Sequence, residues 1–250
     1  MKYLNAPDDL VIDNETGKYI LPQDADQDWI VTKIKQGIFF DGFVANKLMS
    51  YYRGGLVLDV GANFGQLSVL LYRLALGSSY FSNLDKIVSF EANPVVFSYL
   101  RRNLENNIGG ASRSIFGAVW NQVGELVYMP IFNKEKEVTY GSYSLIFDSE
   151  EGYPVGTITI DSFNFERPIG AIKIDVQGAD LRALEGSLST ISKHRPPICV
   201  EFESKFADKF GDLYSDYLYF FKFHKYEIVW GKKDPSTGSW NTNLFAVPAI

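Results

Sequence analysis

The strongest constraint on the fold is the run LVLDVGANFG at residues 56–65. Asp59 stands near the end of a predicted buried strand, and Gly61 and Gly65 stand in the turn that opens a helix. Glycines let a ligand approach the backbone closely, and a helix N-terminus offers unpaired amides. In an open α/β sheet, ligands bind outside the carboxyl ends of the strands, near the point where the strand order reverses. The run therefore predicts a ligand site after this strand.

Downstream of this run, short apolar segments rich in β-forming residues alternate with amphipathic helices, which is typical of a parallel sheet with crossover helices. The predicted strands are residues 56–60, 86–91, 114–119, 171–176, 198–202, 227–230 and 244–247. Asn93 followed by Pro94 predicts a helix from about residue 94 to 107, because Asn can cap a helix and Pro needs no amide partner at its first position. We expect an α/β fold with a doubly wound sheet.

The chain of 250 residues predicts one large domain, since single α/β domains commonly reach this length. Residues 1–53 contain the alternating pieces KYI and IVTKI and then the helical pattern DGFVANKLMSYY, and they predict an N-terminal extension that packs on the core. The core is predicted to be a ligand-binding domain at residues 54–250. Antiparallel segments joined by a long polar connection predict a hairpin or lid insertion near residues 125–160.

Composition and charge exclude several classes of partner. The 24 Lys and Arg against 30 Asp and Glu give a net charge of −6 without a dense basic cluster, so we expect no nucleic acid partner. No apolar run is long enough for a membrane span, and Asp8, Asp9, Asp13 and Glu15 replace the pattern of a secretion signal. The single cysteine, Cys199, excludes an internal disulfide framework. We expect a soluble cytoplasmic protein.

The residues also indicate the type of cofactor. Glu91 ends the second predicted strand, 26 residues after Gly65, where an acidic side chain can accept hydrogen bonds from a ribose. Asn63 and Gln66 stand where a pyrophosphate-binding turn would have glycines, and no P-loop is present. S-adenosylmethionine (SAM) has a ribose and an adenine but no phosphate, and Asp59 could face its ammonium group. For Asp59 and Glu91 the structural alternative is capping of a turn or helix.

Five ordered blocks resemble the FkbM-type methyltransferases. They are LVLDVGANFGQ, VSFEANPVVFSYLRRNLENN, FGAVWNQVGEL, TITIDSF and IKIDVQGADLRALEGS, and the resemblance covers residues 37 to about 203. It implies a class I methyltransferase (Rossmann-like) fold, with a doubly wound seven-stranded sheet that is mostly parallel and has a reversed last strand. It also implies SAM-dependent O-methylation of sugar or polyketide hydroxyls.

The resemblance also implies the residues that bind the cofactor. These are Asp59, Gly61, Asn63, Gly65, Glu91, Asn93, Ala118 and Val119, the last two near the adenine. One position departs from the family: Gln177 stands where the family commonly has Glu. Any function of that carboxylate in catalysis or in metal binding would be lost in this chain.

A second group of charged residues lies on two neighbouring predicted strands. Lys173 within a buried strand needs a partner, and we expect that partner to be Glu201. Asp175 and Glu203 stand at or just beyond the strand tips and are the predicted catalytic residues, with Asp175 as the base that removes the acceptor proton. Whether a metal is present stays open. Mg²⁺, a hard cation suited to carboxylates, would bind at Asp175 and Glu203 if it is used.

The predicted function is SAM-dependent O-methylation of a sugar or glycan precursor or of a glycosylated natural product. Tyr140, Ser142 and Tyr143 in the predicted insertion are the candidate acceptor-binding residues, because aromatic faces with hydroxyl rims suit sugar rings; a solvated surface hairpin is the alternative. A catalytically silent SAM-binding or glycan-binding subunit and a nicotinamide-dependent dehydrogenase remain alternatives. The sequence predicts no particular oligomeric state.

Overall fold

The computed structural model describes residues 9–80, 82, 86–133, 139–147, 152–231 and 241–249. Its strands are β1 (Leu10–Asn14), β2 (Gly17–Leu21), β3 (Leu56–Val60), β4 (Ile87–Glu91), β5 (Ser112–Phe116), β6 (Ala118–Val119), β7 (Leu126–Pro130), β8 (Gly152–Ile158), β9 (Ile169–Ile174), β10 (Ile198–Glu203), β11 (Tyr226–Trp230) and β12 (Asn241–Pro248). Its helices are α1 (Trp29–Lys35), α2 (Gly42–Met49), α3 (Gln66–Leu76), α4 (Pro94–Asn107), α5 (Asp180–Glu185), α6 (Leu188–His194), α7 (Ser204–Ala207) and α8 (Tyr214–Phe223).

The central sheet has seven strands in the order β11-β12-β10-β9-β3-β4-β5. Strand β12 runs antiparallel to β10 and β11, whereas β9 is parallel to β10 and β3, and β4 is parallel to β3 and β5. The predicted fold class is therefore confirmed, including the reversed last strand. The chain builds β3, β4 and β5 outward on one side and then returns to place β9 and β10 on the other. The strand order thus reverses between β3 and β9.

Helices cover both faces of the sheet, and this explains why β3, β4 and β9 are buried along their whole length. Leu58 and Val60 of β3 pack in one core cluster with residues of α5, α6 and α8. Val57 packs on the opposite face with residues of α2 and α3. Because side chains alternate along a strand, Asp59 faces the side of α2 and α3. The same alternation on β9 sets Lys173, two residues after Ala171, on that side.

The predicted strand at residues 114–119 is wrong as a single element. Strand β5 ends at Phe116, and β6 begins at Ala118 in a separate three-stranded sheet of order β6-β8-β7. The break lies at Gly117, whose φ of 153° is one that side-chain-bearing residues rarely adopt. The Gly117 amide still donates to the Glu91 carbonyl oxygen at 3.1 Å. The chain therefore leaves the central sheet beside the end of β4.

The N-terminal residues of the described chain pack on α4. Asn103 accepts the Ile20 amide at 2.7 Å, and Asn107 accepts the Lys18 amide at 2.8 Å. The alternating piece IVTKI lies in α1, and the carboxylate of Asp28 caps this helix through the Ile30 and Val31 amides. Within the described residues, no helix has the length and apolar character needed to cross a membrane.

Candidate functional site

A cavity of about 480 Å³ opens at the carboxyl ends of the central strands, where the strand order reverses. Most of the predicted site residues line it, namely Gly61, Asn63, Glu91, Ala118, Val119, Tyr140, Ser142, Tyr143, Asp175 and Glu203. The other predicted site residues, Asp59, Gly65 and Asn93, lie behind this lining. The structure thus brings together residues that the sequence spreads over more than half of the chain.

The two glycines of the turn after β3 serve different purposes. Gly61 has a φ of 79°, and a Cβ there would collide with the carbonyl oxygen of Asp175, so glycine lets the turn lie against the loop after β9. Gly65 has a φ of 87°, and a Cβ there would lie 2.8 Å from Leu100 Cδ1. Gly61 therefore shapes the cavity, whereas Gly65 allows the start of α3 to pack closely on α4.

Glu91 joins the ends of β3 and β4 at the cavity. Its Oε2 accepts the Asn63 amide at 2.9 Å, and its Oε1 accepts the Asn93 amide at 2.8 Å. Burial raises the pKa of Glu91, although these backbone hydrogen bonds oppose the rise. Each carboxylate oxygen has a second lone pair, so Glu91 can still accept hydrogen bonds from a ligand. The Asn93 side chain caps α4 through the Val95 and Val96 amides, so Asn93 supports Glu91 from behind.

Beyond Glu91, the cavity has an apolar wall. Ala118 and Val119 are almost fully buried in the protein, and both face the cavity immediately after the chain leaves the central sheet at Gly117. Val96 on α4 and Met129 on β7 complete this wall. Its chemistry suits a flat apolar ring more than a charged group.

Asp59 is fully buried and contacts two neighbouring polar side chains. Its Oδ2 accepts a hydrogen bond from Ser68 Oγ on α3 at 2.5 Å, and its Oδ1 lies 3.5 Å from Lys173 Nζ. The sheet register sets Asp59 directly beside Lys173, which explains this pairing. Asp59 therefore supplies a counter-charge to Lys173 beneath the cavity.

Lys173 is the buried cation of the site. Its Nζ lies 3.5 Å from Asp59 Oδ1 and 3.5 Å from Asp175 Oδ2, and it donates to the Gly61 carbonyl oxygen at 3.2 Å. These ion pairs differ from the expected pairing with Glu201, because the register sets Cys199 of β10, not Glu201, beside Lys173. Burial alone would lower the pKa of Lys173, but the surrounding carboxylates, led by Asp175 and Asp59, raise it.

Asp175 and Glu201 are bridged by the side chain of Gln177. Gln177 Nε2 donates to Asp175 Oδ1 at 2.9 Å and to Glu201 Oε2 at 3.3 Å. Burial acts to raise the pKa of Asp175, but the Lys173 ammonium and neighbouring hydrogen bonds hold it below its ordinary value. Asp175 is therefore ionised at neutral pH. Glu203 lies at the cavity where β10 ends and α7 begins.

The arrangement does not fit the magnesium ion that Asp175 and Glu203 could hold. In the part of the chain that the structure describes, no group of three or more His, Cys, Asp or Glu side chains could hold a metal. The Lys173 ammonium already supplies positive charge at Asp175 Oδ2, so it would repel a second cation at this carboxylate. The Gln177 amide also presents a hydrogen-bond donor, not an oxygen ligand, to Asp175 Oδ1.

One wall of the cavity is built by the N-terminal region together with residues 139–143. The buried Asp28 accepts hydrogen bonds from Thr139 Oγ1 at 2.7 Å and from the Tyr140 amide at 2.8 Å. The Tyr140 hydroxyl donates to Asp24 at 3.0 Å. Tyr140 therefore lines the cavity with its ring, whereas Ser142 and Tyr143 are only partly buried. We call residues 139–143 the acceptor wall.

Two cavity residues escape sequence reasoning. Asp41 opens the helical pattern DGFVANKLMSYY, and Trp29 directly precedes the alternating piece IVTKI. Both line the cavity, and Trp29 is 64% exposed there. An Asp before Gly at a helix start was the available signal for Asp41, but only the packing of α2 beside the sheet brings it to the site.

Comparisons with known proteins address the family and the fold of the chain. Residues 59–228 match the family model described as the methyltransferase FkbM domain. No protein of curated function matches the sequence. The structure is similar to the crystal structure of methyltransferase FkbM from Methylobacillus flagellatus KT, with 16% sequence identity and a TM-score of 0.50 over 87% of this chain and 52% of that chain. The chain thus spans about half the length of that relative.

Two further solved structures are similar at lower scores. Precorrin-6y C5,15-methyltransferase from Geobacter metallireducens GS-15 has 14% identity and a TM-score of 0.44, over 82% of this chain and 86% of that chain. M. jannaschii TYW2 in complex with AdoMet has 12% identity and a TM-score of 0.45, over 98% of this chain and 89% of that chain.

Proposed function

Because the chain belongs to the FkbM methyltransferase family, we propose that it transfers a methyl group from SAM to a hydroxyl group of a sugar or glycan precursor or of a glycosylated natural product. One observation carries the proposal: a single cavity joins the carboxylate of Glu91, suited to a ribose, to the ionised carboxylate of Asp175, suited to a hydroxyl. The two groups end different strands of the same sheet.

The residues at the Glu91 side fit the nucleoside part of SAM. Glu91 is held by the Asn63 and Asn93 amides, so its free lone pairs have a fixed direction for the ribose hydroxyls. Ala118 and Val119 provide the apolar surface for adenine. SAM, when bound, supplies a methyl group on a positively charged sulfur. Asp59 contributes indirectly, because it holds Lys173 and thereby the turn at Gly61.

Asp175 is suited to hold the acceptor hydroxyl. Its lowered pKa keeps it ionised, so it accepts a hydrogen bond from the hydroxyl and orients the oxygen toward the methyl group. A carboxylate with a low pKa is a weak base, so we expect proton removal only as the new bond forms. Positioning of the two reactants can then supply much of the acceleration, on the order of 7 to 11 kcal/mol in well-oriented systems. Glu203 is the second candidate at this edge.

The acceptor wall and Trp29 suit a sugar ring. Sugar rings have apolar C–H faces and many hydroxyls, so they pack on aromatic faces while their rims form hydrogen bonds. Trp29 offers an exposed aromatic surface at the cavity, and Ser142 and Tyr143 offer hydroxyls. The Tyr143 hydroxyl accepts the Asn133 amide at 2.9 Å and can still donate to an acceptor.

A radiolabelled-methyl assay tests the proposal. Purified protein is incubated with methyl-labelled SAM and a panel of nucleotide-linked, lipid-linked and natural-product glycosides, beside proteins, nucleic acids and small catechols. We expect label on a glycosyl acceptor, and we expect Asp175→Asn to reduce turnover at least about 100-fold while binding S-adenosylhomocysteine as the wild type does. Transfer to none of the glycosides but to another class would contradict the acceptor. Binding of SAM without any transfer would favour the silent subunit, and thermal stabilisation by NADH alone would favour a dehydrogenase.

A further inference from the structure

Asp41 places an unused carboxylate at the cavity. It directly precedes α2, yet its side chain does not cap that helix, and its backbone has a φ of 53°, which is uncommon for a residue other than glycine. Within the described residues the carboxylate makes no hydrogen bond or ion pair, and the residue is half-buried. The left-handed backbone at this position accepts Asp more readily than most residues, and the carboxylate at the cavity stays available to a ligand.

The loop that carries Asp41 is held in place by the first residue of α3. The buried side chain of Gln66 accepts the Phe40 amide at 2.8 Å through Oε1 and donates to the Ile38 carbonyl oxygen at 2.8 Å through Nε2. Gln66 follows directly after the turn at Gly61 to Gly65. Asp41 is therefore positioned relative to the proposed cofactor turn and not relative to the acceptor wall.

The group of charges that includes Asp41 is net negative, because Asp41, Asp59 and Asp175 stand against one cation, Lys173. Asp41 lies at the start of α2, on the face of the sheet where Lys173 pairs with Asp59 and Asp175. Lys173 is committed to these two carboxylates and to the Gly61 carbonyl oxygen. Partial burial raises the pKa of Asp41; the Lys173 ammonium opposes this rise, and the charge of Asp175 adds to it. A cation beside Asp41 would compensate the unmatched negative charge.

The strand order shows which part of SAM would reach this region. If the ribose binds Glu91 at the end of β4 and the adenine lies toward Ala118, beyond β4 and β5, the amino-acid end must extend the other way, over β3 and β9. Lys173 and Asp175 belong to that side, and Asp41 lines the same cavity before α2, which packs on that face of the sheet. We infer that Asp41 binds the ammonium group at the amino-acid end of SAM. This inference rests on the proposed function and adds a cofactor-binding residue to it.

Two ligands that cannot transfer a methyl group test the inference. S-adenosylhomocysteine carries the ammonium group, whereas 5′-methylthioadenosine keeps the adenine, ribose and sulfur but has no amino-acid end. Calorimetry would compare both ligands on the wild type, on Asp41→Asn and on Glu91→Gln. Asp13→Asn, on the exposed surface of β1, removes the same charge away from the cavity and serves as the matched control.

We expect Asp41→Asn to lower the affinity for S-adenosylhomocysteine about 10-fold to 100-fold, because a charge-assisted hydrogen bond is lost. The affinity for 5′-methylthioadenosine should change less than about twofold. Glu91→Gln should lower the affinity for both ligands, and Asp13→Asn should leave both affinities unchanged. Equal weakening of both ligands by Asp41→Asn, or of neither, would overturn the inference while leaving the proposed function intact. Failure of the wild type to bind either ligand would overturn both. Thermal unfolding of each variant without ligand shows whether it is folded.

Discussion

The ammonium of Lys173 lies 3.5 Å from Oδ2 of Asp175, and the same ammonium lies 3.5 Å from Oδ1 of the fully buried Asp59. One lysine therefore pairs with two carboxylates at the ends of neighbouring strands. It also donates to the Gly61 carbonyl oxygen, which ties the proposed cofactor turn to the proposed catalytic strand end. The geometry of both halves of the site depends on this one charge.

Substitution of Lys173 by Met should destabilise the fold. The change leaves Asp59 buried without its cation, and breaking a buried ion pair from one side costs about 3 to 5 kcal/mol. Urea unfolding at pH 7.5 measures the free energy of unfolding. Lys205→Met, which removes an exposed lysine at the same cavity, is the control and should cost less than about 1 kcal/mol. Equal stability of the two variants would contradict the role of Lys173.

Asp28 should hold the acceptor wall against α1. Its carboxylate accepts two amides of α1 and, from the wall, Thr139 Oγ1 and the Tyr140 amide. Asp28→Asn keeps one oxygen for the helix cap but presents an NH₂ group to the two donors of the wall. We expect faster hydrogen exchange at Tyr140, measured by mass spectrometry, with exchange in α1 nearly unchanged. Asp28→Ala should loosen both segments. Unchanged exchange at Tyr140 in both variants would refute this role.

The stability of the protein should depend on the charge of the residue that replaces Gln177. Gln177→Glu removes the amide that bridges Asp175 and Glu201 and adds a like charge between them. We expect the free energy of unfolding, measured with urea, to fall by about 1 to 3 kcal/mol at pH 8. The decrease should be smaller at pH 5, where protonation of a carboxylate relieves the repulsion. Gln177→Met loses the hydrogen bonds without adding charge, so its loss should be similar at both pH values. A pH-independent loss for Gln177→Glu would show that repulsion is not the cause.

Asp180 should make the fold less stable as the pH rises toward neutrality. Its oxygens accept the Val176 and Gly178 amides at 2.9 Å, and burial, with the charge of Asp175, raises its pKa to about 7. An unfolded Asp loses its proton near pH 4, roughly, so between about pH 4 and pH 7 the folded state binds the extra proton. The contribution of this proton to the free energy of unfolding is fully present below about pH 4, and it is lost as the pH rises from about 4 to about 7.

A carbon NMR titration of the Asp180 carboxyl checks this prediction. The midpoint should lie near the raised pKa in the wild type and should fall in Asp175→Asn, because the neighbouring charge is gone. An ordinary aspartate midpoint in the wild type would contradict the effect of burial. A midpoint that did not move in Asp175→Asn would show that the two carboxyls do not interact.

The fold could be predicted from sequence because its signals are local. The glycine turn after β3, the Asn93-Pro94 start of α4 and the alternation of strands and helices each depend on neighbouring residues. The strand at residues 114–119 failed as one element because the conformation of Gly117, not the apolar pattern, decides where β5 ends. The alternation in IVTKI did not show that this piece lies in α1, a helix that Asp28 caps.

The site was only partly predictable because it depends on register and packing. Charge alone indicated that Lys173 needs a partner, but the pairing of strands decides that Asp59 and Cys199 flank it. Asp41 reaches the cavity through the hydrogen bonds of Gln66 to a loop about 26 residues earlier in the chain, and no local pattern contains that information. Long-range contacts of this kind decide which candidate residues come together in one site, and local sequence patterns do not show them.

A crystal structure with bound S-adenosylhomocysteine tests the central claim most directly, because it shows which groups contact each part of the ligand. We expect both ribose hydroxyls within hydrogen-bond distance of the Glu91 carboxylate, adenine against Ala118 and Val119, and the sulfur on the side of Asp175. A ligand bound elsewhere, or bound in the cavity with its ribose away from Glu91, would contradict the account.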